Sequence, residues 1–409
     1  MKRIAILGST GSIGRSTLSV VESFPERFSV VALAAGSNVE LAAEQTRRSG
    51  PRVISMATAE AAQSLRRALG HEAQGCEILS GAEGAVRVAT HPEADFVVSA
   101  IVGVAGLEAT YEAVRAGKTV GLANKECLVA AGELITAEAR RQGKPLLPID
   151  SEHNAVHQCM RGGTTSEVER VWLTASGGPF LNTPVEQFGR ITPEQALNHP
   201  TWRMGRRITI DSATMMNKGF EVIEACRLFG LPPDRVQVVV HPQSTVHSLV
   251  EFVDGSILAQ LSVTDMRLPI LYALAWPERI PSDLRFSLRE LRRLDFCEPD
   301  FDKFPCLRLA YEAAAQGGAM TIALNAADEV AVAAFLASQI SFNDIPRLIS
   351  RILSETAARK PESIKEVLLA DAEARARAQQ AVRAVQSQSA HAGLAGEKRP
   401  GAIAAPSRR

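Results

Sequence analysis

Short apolar runs alternate with amphipathic stretches over the first 150 residues of the chain. Apolar runs of strand length, separated by segments with helical spacing, are typical of a parallel sheet covered by helices on both faces. This part is therefore predicted to be a doubly wound α/β domain. Its candidate strands are Ile4 to Leu7, Ser29 to Ala34, Arg52 to Met56, Phe96 to Ala100, Thr119 to Leu122 and Leu146 to Ile149.

The pattern changes after Asp150 to strands punctuated by glycine and proline. The turn Asp254-Gly255-Ser256 separates two of these strands and predicts a hairpin. Residues 151–275 are therefore predicted to form a second, α+β domain. Its candidate strands are Val171 to Thr174, Val236 to Val240, Val246 to Val253 and Ile257 to Ser262.

The C-terminal third is predicted to be helical. A Pro- and Arg-rich linker over residues 276–301 precedes Ala- and Leu-rich segments with helical spacing at Cys306 to Ala315, Ala319 to Leu336 and Ile345 to Thr356. These segments predict a helical domain over residues 302–386. Residues 387–409 are rich in Ala, Gln, Ser and Arg and are predicted to be a disordered tail.

The amino-acid composition favours a small molecule as the binding partner. Lys plus Arg and Asp plus Glu balance at 45 each, which excludes the basic field of a general nucleic-acid or membrane-surface binder. We expect no apolar run of about 18 residues, the length of a membrane-spanning helix, and no signal-peptide core. The six cysteines form no Cys-x-x-Cys pair and are interpreted as reduced thiols. The predicted location is the cytoplasm.

The loop Gly8-Ser9-Thr10-Gly11-Ser12-Ile13-Gly14 follows the first strand and opens a helix. This context is typical of a Rossmann-type dinucleotide site, in which glycines let the backbone approach the diphosphate at a helix N-terminus. A strand-to-helix turn with a purely structural role is the alternative. The turn Gly36-Ser37-Asn38 after the second strand lacks the acid of an NAD-specific site, so NADPH is the predicted cofactor, although no basic residue stands there either.

The carboxylates of Asp150 and Glu152 lie at the end of a predicted strand, where open α/β sheets place their ligands. Two carboxylates without His or Cys companions suit Mg²⁺ or Mn²⁺, whereas a helix cap near His153 is the alternative. On a helix, Asn217, Lys218 and Glu221 would share one face. The alternative there is a surface ion pair, but the preceding segment from Ile208 to Met216 is apolar and small and is more typical of a pocket wall.

Several polar segments are candidate ligand contacts. Ser176-Gly177-Gly178, Ser212 and Lys218 offer hydroxyls, amides and an ammonium that suit a phosphate group. The segment from His199 to Gly205 is predicted to be a lid that excludes water, with a packed surface loop as the alternative. His241 and His247 are expected to be core or hairpin histidines.

Together these segments closely resemble the 1-deoxy-D-xylulose 5-phosphate reductoisomerase family. The resemblance covers nearly the whole chain except the tail. It rests on Gly-Ser-Thr-Gly-Ser-Ile-Gly at 8–14, Ala-Asn-Lys-Glu at 123–126, Asp-Ser-Glu-His-Asn at 150–154, Ser-Gly-Gly-Pro-Phe at 176–180, Asp-Ser-Ala-Thr-Met-Met-Asn-Lys-Gly at 211–219, His-Pro-Gln-Ser at 241–244 and Ala-Leu-Asn-Ala-Ala at 323–327.

The resemblance implies NADPH-dependent rearrangement and reduction of 1-deoxy-D-xylulose 5-phosphate to 2-C-methyl-D-erythritol 4-phosphate, in the non-mevalonate route to isoprenoid precursors. The implied chemistry is a metal-assisted retro-aldol and aldol sequence, or a 1,2-shift, followed by hydride transfer. The metal would be Mn²⁺, Mg²⁺ or Co²⁺, and the enzyme would be a homodimer.

The resemblance also implies site residues. The metal ligands would be Asp150, Glu152 and Glu221, which with Lys125 form the catalytic group. The substrate site would be lined by Lys125, Ser151, Glu152, Ser176, His199, Trp202, Met204, Ser212, Asn217, Lys218 and Glu221, with Trp202 and Met204 in the lid. The cofactor site would be lined by Thr10, Gly11, Ser12, Ile13, Gly36, Ser37, Asn38, Asn124, Glu126 and Gly205.

Three positions depart from the family pattern. Ser37 stands where a basic residue is frequent, Cys127 where serine is common, and Thr264 where proline often precedes Asp-Met-Arg. Ser37 bears on the preference for NADPH over NADH. Two other functions are kept open: a metal-independent, semialdehyde-type dehydrogenase with Cys127 as nucleophile, and a non-catalytic nucleotide-sensing or scaffold protein.

Overall fold

The N-terminal unit is built on a seven-stranded, wholly parallel sheet. The computed structural model describes residues 1–202 and 204–396, with side chains to residue 387. The strands are β1 (Lys2–Leu7), β2 (Phe28–Ala35), β3 (Val53–Met56), β4 (Glu77–Ser80), β5 (Phe96–Ser99), β6 (Thr119–Leu122) and β7 (Leu146–Pro148). Their order, β4-β3-β2-β1-β5-β6-β7, reverses direction beside β1. Such a reversal opens a ligand crevice at the carboxyl ends of the strands.

Helices cover both faces of this sheet, as the alternating pattern predicts. They are α1 (Ser12–Ser23), α2 (Val39–Ser49), α3 (Ala59–Leu69), α4 (Gly81–Ala89), α5 (Leu107–Arg115) and α6 (Lys125–Gln142). All six predicted strands are present, but the sequence analysis missed β4. In Glu77–Ser80 only Ile78 is buried, because β4 is the edge strand, and the segment therefore lacks an apolar run.

The second unit contains a four-stranded sheet in the order β11-β10-β8-β9. Its strands are β8 (Val168–Ala175), β9 (Val236–Val240), β10 (Val246–Phe252) and β11 (Ile257–Leu261), and its helices are α7 (Ser151–Cys159), α8 (Pro193–Ala196), α9 (Arg206–Ala213), α10 (Met216–Phe229) and α11 (Arg267–Ala275). The predicted hairpin is the antiparallel pair β10 and β11. Helix α11 returns to the first sheet, where Ile270 and Leu274 pack with Ile4 and Phe96.

Short 3-10 helices complete the connections. They lie at Gly70–Ala73, Val104–Gly106, Met160–Gly162, Thr165–Glu167, Val185–Arg190 and Pro233–Arg235.

The C-terminal unit consists of α12 (Pro305–Gln316), α13 (Ala319–Leu336), α14 (Asp344–Ser354) and α15 (Ile364–Gly396). The expectation that the chain has no apolar segment of membrane-spanning length was wrong by length and composition, because α13 meets that criterion. However, 78% of α13 is buried inside the protein, against α12, α14, α15 and α6. It is therefore a core helix of the fold.

The predicted boundary of the helical region at residue 386 also requires correction. Helix α15 continues without interruption to Gly396, since its alanine, glutamine and arginine residues have high helix propensity. Residues 397–409 of the expected tail lie outside the described part of the chain.

Candidate active site

A cavity of about 500 Å³ lies at the carboxyl ends of the N-terminal strands, between the first two units. All but four of the residues proposed from sequence line this cavity. The lining members are Gly11, Ser12, Ile13, Asn124, Lys125, Glu126, Asp150, Ser151, Glu152, Ser176, His199, Trp202, Met204, Gly205, Ser212, Asn217, Lys218 and Glu221. The other four, Thr10, Gly36, Ser37 and Asn38, lie in the turns after β1 and β2.

The glycine loop brings its backbone close to neighbouring strands. A Cβ atom on Gly8, whose φ is +87°, would lie 2.5 Å from the carbonyl oxygen of Ala100. A Cβ on Gly14 would overlap the backbone of Gly8 and Ser9. Helix α1 begins directly after Gly11, so its unpaired N–H groups face the cavity mouth.

Three carboxylates converge on the opposite side of the cavity. One oxygen from each of Asp150, Glu152 and Glu221 lies within 4.8 Å of the others. The exposed fractions of the three side chains are 16%, 17% and 1%. Oxygens at this spacing fit the ligand shell of one hard divalent cation.

Asp150 also caps helix α7, which confirms the helix-cap interpretation of this residue. Its Oδ1 atom accepts a hydrogen bond of 3.1 Å from the backbone N–H of Glu152. Its Oδ2 atom instead lies 3.4 Å from the Nζ atom of Lys125. The cap therefore fixes the direction in which the second oxygen points.

Two buried lysines flank the carboxylates. Lys125, the first residue of α6, donates to Asn217 Oδ1 at 2.5 Å and lies 3.7 Å from Glu221 Oε1. Lys218 lies 3.2 Å from Glu152 Oε1 and donates to Glu221. Asn217 donates to Glu221 at 2.7 Å, as the helical spacing on α10 predicts. The predicted ammonium, amide and carboxylate do share one face.

The crowding of like charges is visible in the pKa values. Burial and the neighbouring Asp150 carboxylate raise the pKa of Glu221 to about 8. Burial also disfavours the charged forms of Asp150 and Lys125, but the neighbouring opposite charges together outweigh it, so the pKa of Asp150 is held low and that of Lys125 high. Glu221 therefore holds a proton at neutral pH, which a divalent cation would displace.

His153 contacts two residues of this carboxylate cluster, a role that the sequence did not predict. One ring nitrogen, Nε2, lies 2.8 Å from the carbonyl oxygen of Glu221, and Nδ1 lies 3.4 Å from Asp150 Oδ1. It thereby ties α7 to α10. The position of His153 directly after Glu152 in the sequence could have indicated this role.

A histidine joins the two candidate phosphate-binding serines. The backbone N–H groups of Thr201 and Trp202 donate to His199 Nδ1 at 3.2 and 3.0 Å, which leaves the ring proton on Nε2. That nitrogen lies 3.1 Å from Ser176 Oγ and 3.0 Å from Ser212 Oγ. Burial lowers the pKa of His199, so the ring is neutral. The single Nε2–H is shared between the two serine oxygens, so both hydroxyl hydrogens can be donated to a ligand.

The candidate lid segment from His199 to Gly205 contributes part of the cavity lining. Its ring contact is between Trp202 and His247, whose centroids are 6.3 Å apart. Trp202 and Met204 both face the cavity, whereas Arg203 is outside the described residues.

Two candidate cofactor residues already have partners within the protein. The Asn124 side chain accepts from Cys127 N–H at 3.1 Å and donates to the carbonyl oxygens of Ile101 and Gly103. Glu126 accepts from Arg207 at 2.5 Å. Both side chains therefore hold parts of the cavity wall together, in addition to facing the cavity.

The two histidines of the hairpin region differ. His241 has both ring nitrogens bonded to backbone groups, as expected for a core histidine. His247 lines the cavity, and its Nε2 atom is buried without a hydrogen-bond partner among the described residues. Both faces of β10 are covered at this end, so alternation along the strand gave no signal.

Comparison with known proteins places these features in one family. The family profile described as 1-deoxy-D-xylulose 5-phosphate reductoisomerase matches residues 4–132. Profiles for C-terminal domains of the same enzyme match residues 146–229 and 261–377.

Individual relatives extend the match over nearly the whole chain. The 1-deoxy-D-xylulose 5-phosphate reductoisomerase of Methylococcus capsulatus is 54% identical over 386 residues, which cover 93% of this chain and 98% of the relative. The Zymomonas mobilis enzyme solved with NADPH is 43% identical, with a TM-score of 0.87 over 93% of this chain and 99% of that one. A structure with NADPH, fosmidomycin and magnesium is also 43% identical, with a TM-score of 0.88 over 94% and 98%. The chain belongs to the 1-deoxy-D-xylulose 5-phosphate reductoisomerase family.

Proposed function

We propose that this chain converts 1-deoxy-D-xylulose 5-phosphate to 2-C-methyl-D-erythritol 4-phosphate with NADPH. The observation that carries the proposal is the convergence of three components in one cavity. These are the glycine loop, the carboxylates of Asp150, Glu152 and Glu221, and the hydroxyl pair of Ser176 and Ser212. They suit a dinucleotide, a divalent cation and a phosphate group respectively.

The three carboxylates fit a divalent cation, because their oxygens converge and the two flanking lysines balance only two of the three once Glu221 loses its proton. When bound, Mg²⁺ or Mn²⁺ would polarise the substrate ketone and stabilise negative charge on its oxygens while the carbon skeleton rearranges. NADPH supplies the hydride that reduces the resulting aldehyde.

The side chains around the carboxylates orient the substrate. The Lys125 ammonium, held by Asp150 and Asn217, faces the cavity as a fixed donor for a substrate oxygen. Ser151 donates to Glu152 and fixes that carboxylate. Lys218 adds a second positive charge on the substrate side. Fixed charges in a buried cavity stabilise developing negative charge without reorganising.

The hydroxyl pair holds the far end of the substrate. Ser176 Oγ accepts from Gly178 N–H at 3.2 Å as well as from His199, so its own hydrogen is available to a phosphate oxygen. Binding energy from the phosphate then positions the reacting carbons near the carboxylates. The lid residues Trp202 and Met204 would exclude water from this cavity.

The cofactor is bound in our proposal by the turns at the carboxyl ends of β1 and β2. The turn of Gly36, Ser37 and Asn38 carries no carboxylate to repel a 2′-phosphate, which favours NADPH. Asn38 itself caps α2 by accepting from Leu41 N–H at 3.0 Å, leaving Ser37 as the exposed hydroxyl. A neutral Ser37 predicts a weaker preference for NADPH than a basic residue would give.

We further assign residues 1–150 to cofactor binding, 151–275 to catalysis and dimerisation, and 302–396 to a helical support domain joined by the linker 276–301. A homodimer in the cytoplasm is the proposed assembly. The edge strand β11 supports it, because Ile257 and Leu258 are 53% and 42% exposed. An apolar, unpaired strand edge is usually covered by another chain. Sedimentation of the purified protein tests the dimer.

The activity is tested by following NADPH oxidation with 1-deoxy-D-xylulose 5-phosphate, with and without Mn²⁺, and by repeating the assay with NADH. Metal-dependent oxidation supports the proposal. Tight NADPH binding without oxidation would instead support a nucleotide-sensing protein.

The thiol of Cys127 provides one prediction. Cys127 is fully buried, and burial raises its pKa far above the usual range, so it is a poor nucleophile. We expect Cys127→Ser to keep kcat within about twofold of the wild type, since the hydroxyl can also bond Thr110. Steady-state kinetics with the phosphosugar measure this, with Cys76→Ser as the matched control. An inactive but folded Cys127→Ser enzyme would instead support a semialdehyde-type dehydrogenase with Cys127 as nucleophile.

Metal affinity should depend on pH. Glu221 has a pKa raised to about 8 by burial and Asp150, so it holds a proton at neutral pH that the cation must displace. Affinity for Mn²⁺ should therefore rise with pH, by up to about tenfold per unit below the pKa, and level off above it. Calorimetric titrations at several pH values measure the slope. An affinity that is flat below this pKa would contradict the prediction.

A further inference from the structure

A second group of buried charged side chains surrounds Arg207 in the first turn of α9. The guanidinium donates to Glu126 on α6 at 2.5 Å, to Glu329 at 2.9 Å and to Asn325 at 3.1 Å, the last two on α13. One side chain thus joins an element from each of the three units.

Two further carboxyl groups complete this group. Asp211, one turn along α9, and Asp328, on α13, have Oδ2 atoms 3.6 Å from the Arg207 guanidinium. Both are buried, and burial raises the pKa of Asp211 to about 6 and that of Asp328 well above its ordinary value. Burial thus opposes ionisation of both carboxyls, and both lie beside the same cation, the Arg207 guanidinium.

Helix α9 is short and connects the lid segment to a candidate substrate-site residue. It begins at Arg206, immediately after the lid segment, and its second turn contains Ser212, which lies 3.0 Å from His199. Any tilt of α9 against α13 would displace Ser212 and the attachment point of the lid together. Asp328 itself does not line the cavity.

Stability alone is a weak reason for such a group. Burying one guanidinium with several carboxyls is costly, and apolar residues often hold two helices together equally well. A forked guanidinium with partners on two other helices, however, allows only one orientation of the helix that carries it. The charged group therefore gives geometric precision.

We propose that Arg207, together with Asp211 and Asp328, is a positioning group that fixes α9, and hence Ser212 and the lid hinge, against α13 of the C-terminal unit. The proposal rests on the proposed function, because the group acts on binding of the substrate phosphate. It assigns the C-terminal unit a part in substrate binding.

The experiment compares Arg207→Lys, Asp328→Val and Asp328→Asn. Lysine keeps the charge but loses the fork, so we expect KM for the phosphosugar to rise about tenfold while kcat changes less. Asp328→Val should do the same by removing a carboxyl that lies 3.6 Å from the guanidinium. Asp328→Asn should restore KM, since its amide oxygen can still accept from Arg207.

Arg227→Lys is the matched control. Arg227 has similar exposure, 22% against 19%, and joins α10 to α6 through Glu133 at 2.9 Å, away from the cavity. Its replacement should lower Tm without changing KM. If Arg207→Lys does not fold, the KM values of Asp328→Val and Asp328→Asn test the proposal instead.

The proposal is overturned if Arg207→Lys and Asp328→Val lower Tm but leave KM and kcat within about twofold of the wild type. It is also overturned if Asp328→Asn behaves like Asp328→Val. Calorimetric titration with inorganic phosphate separates this outcome from failure of the proposed function. Weaker phosphate binding in both Arg207→Lys, which lines the cavity, and Asp328→Val, which does not, but not in Arg227→Lys, supports positioning even if the wild type does not turn over this phosphosugar.

Discussion

Glu221→Gln is expected to lower kcat with Mn²⁺ by about three powers of ten while leaving NADPH affinity unchanged. Glu221 is the most buried of the three converging carboxylates, with an exposed fraction of 1%. Its replacement by a neutral amide removes one carboxylate from the proposed metal site and leaves Lys218 with Glu152 alone. The glycine loop on the opposite side of the cavity is untouched.

The measurements are steady-state NADPH oxidation at saturating phosphosugar and a fluorescence titration with NADPH. The same change at an exposed glutamate of α12, Glu312→Gln, is the control and should leave kcat unchanged. Wild-type metal-dependent rates in Glu221→Gln would remove this residue from the metal site. Loss of NADPH binding as well would indicate a folding defect instead.

The double variant Ser176→Ala/Ser212→Ala is expected to lower kcat/KM by about two to three powers of ten. Each hydroxyl is free to donate one charge-assisted hydrogen bond to a phosphate, because its oxygen already accepts from His199. Hydrogen bonds to charged groups contribute about 1.5–3 kcal/mol each. The larger part of the effect should appear in KM.

A second substrate makes this test specific. With 1-deoxy-D-xylulose, which lacks the phosphate, the double variant and the wild type should have nearly equal kcat/KM. Ser23→Ala, at an exposed hydroxyl of α1, is the control for loss of a hydroxyl elsewhere. An equal loss with both substrates would show that the serines do not contact the phosphate.

The local parts of the site were predictable because their signals are local. The glycine positions follow from close backbone approach, which is written into a seven-residue loop. The spacing of Asn217, Lys218 and Glu221 places them on one helical face whatever the rest of the chain does. The strand pattern likewise predicted six strands, and missed only the edge strand β4, which has little to bury.

Other assignments needed a family resemblance, since no local pattern marks them. Lys125 lies on a buried helix whose first turn looks like ordinary core sequence, yet its ammonium reaches Asp150 and Asn217. His199 has no sequence pattern that links it to Ser176, and the two are brought together by the turn before the lid.

The sequence by itself determined the order of strands and helices along the chain, the glycine loop and the carboxylate pair of Asp150 and Glu152. Each of these features depends on residues that are close in the sequence. Only the tertiary structure decided that His247 faces the cavity, that α11 packs on the first sheet, and that Arg207 meets Asp211 and Asp328. These features join residues far apart in the chain. Which residues meet depends on how whole helices and strands pack together. The periodicity of apolar residues along one element does not contain that information.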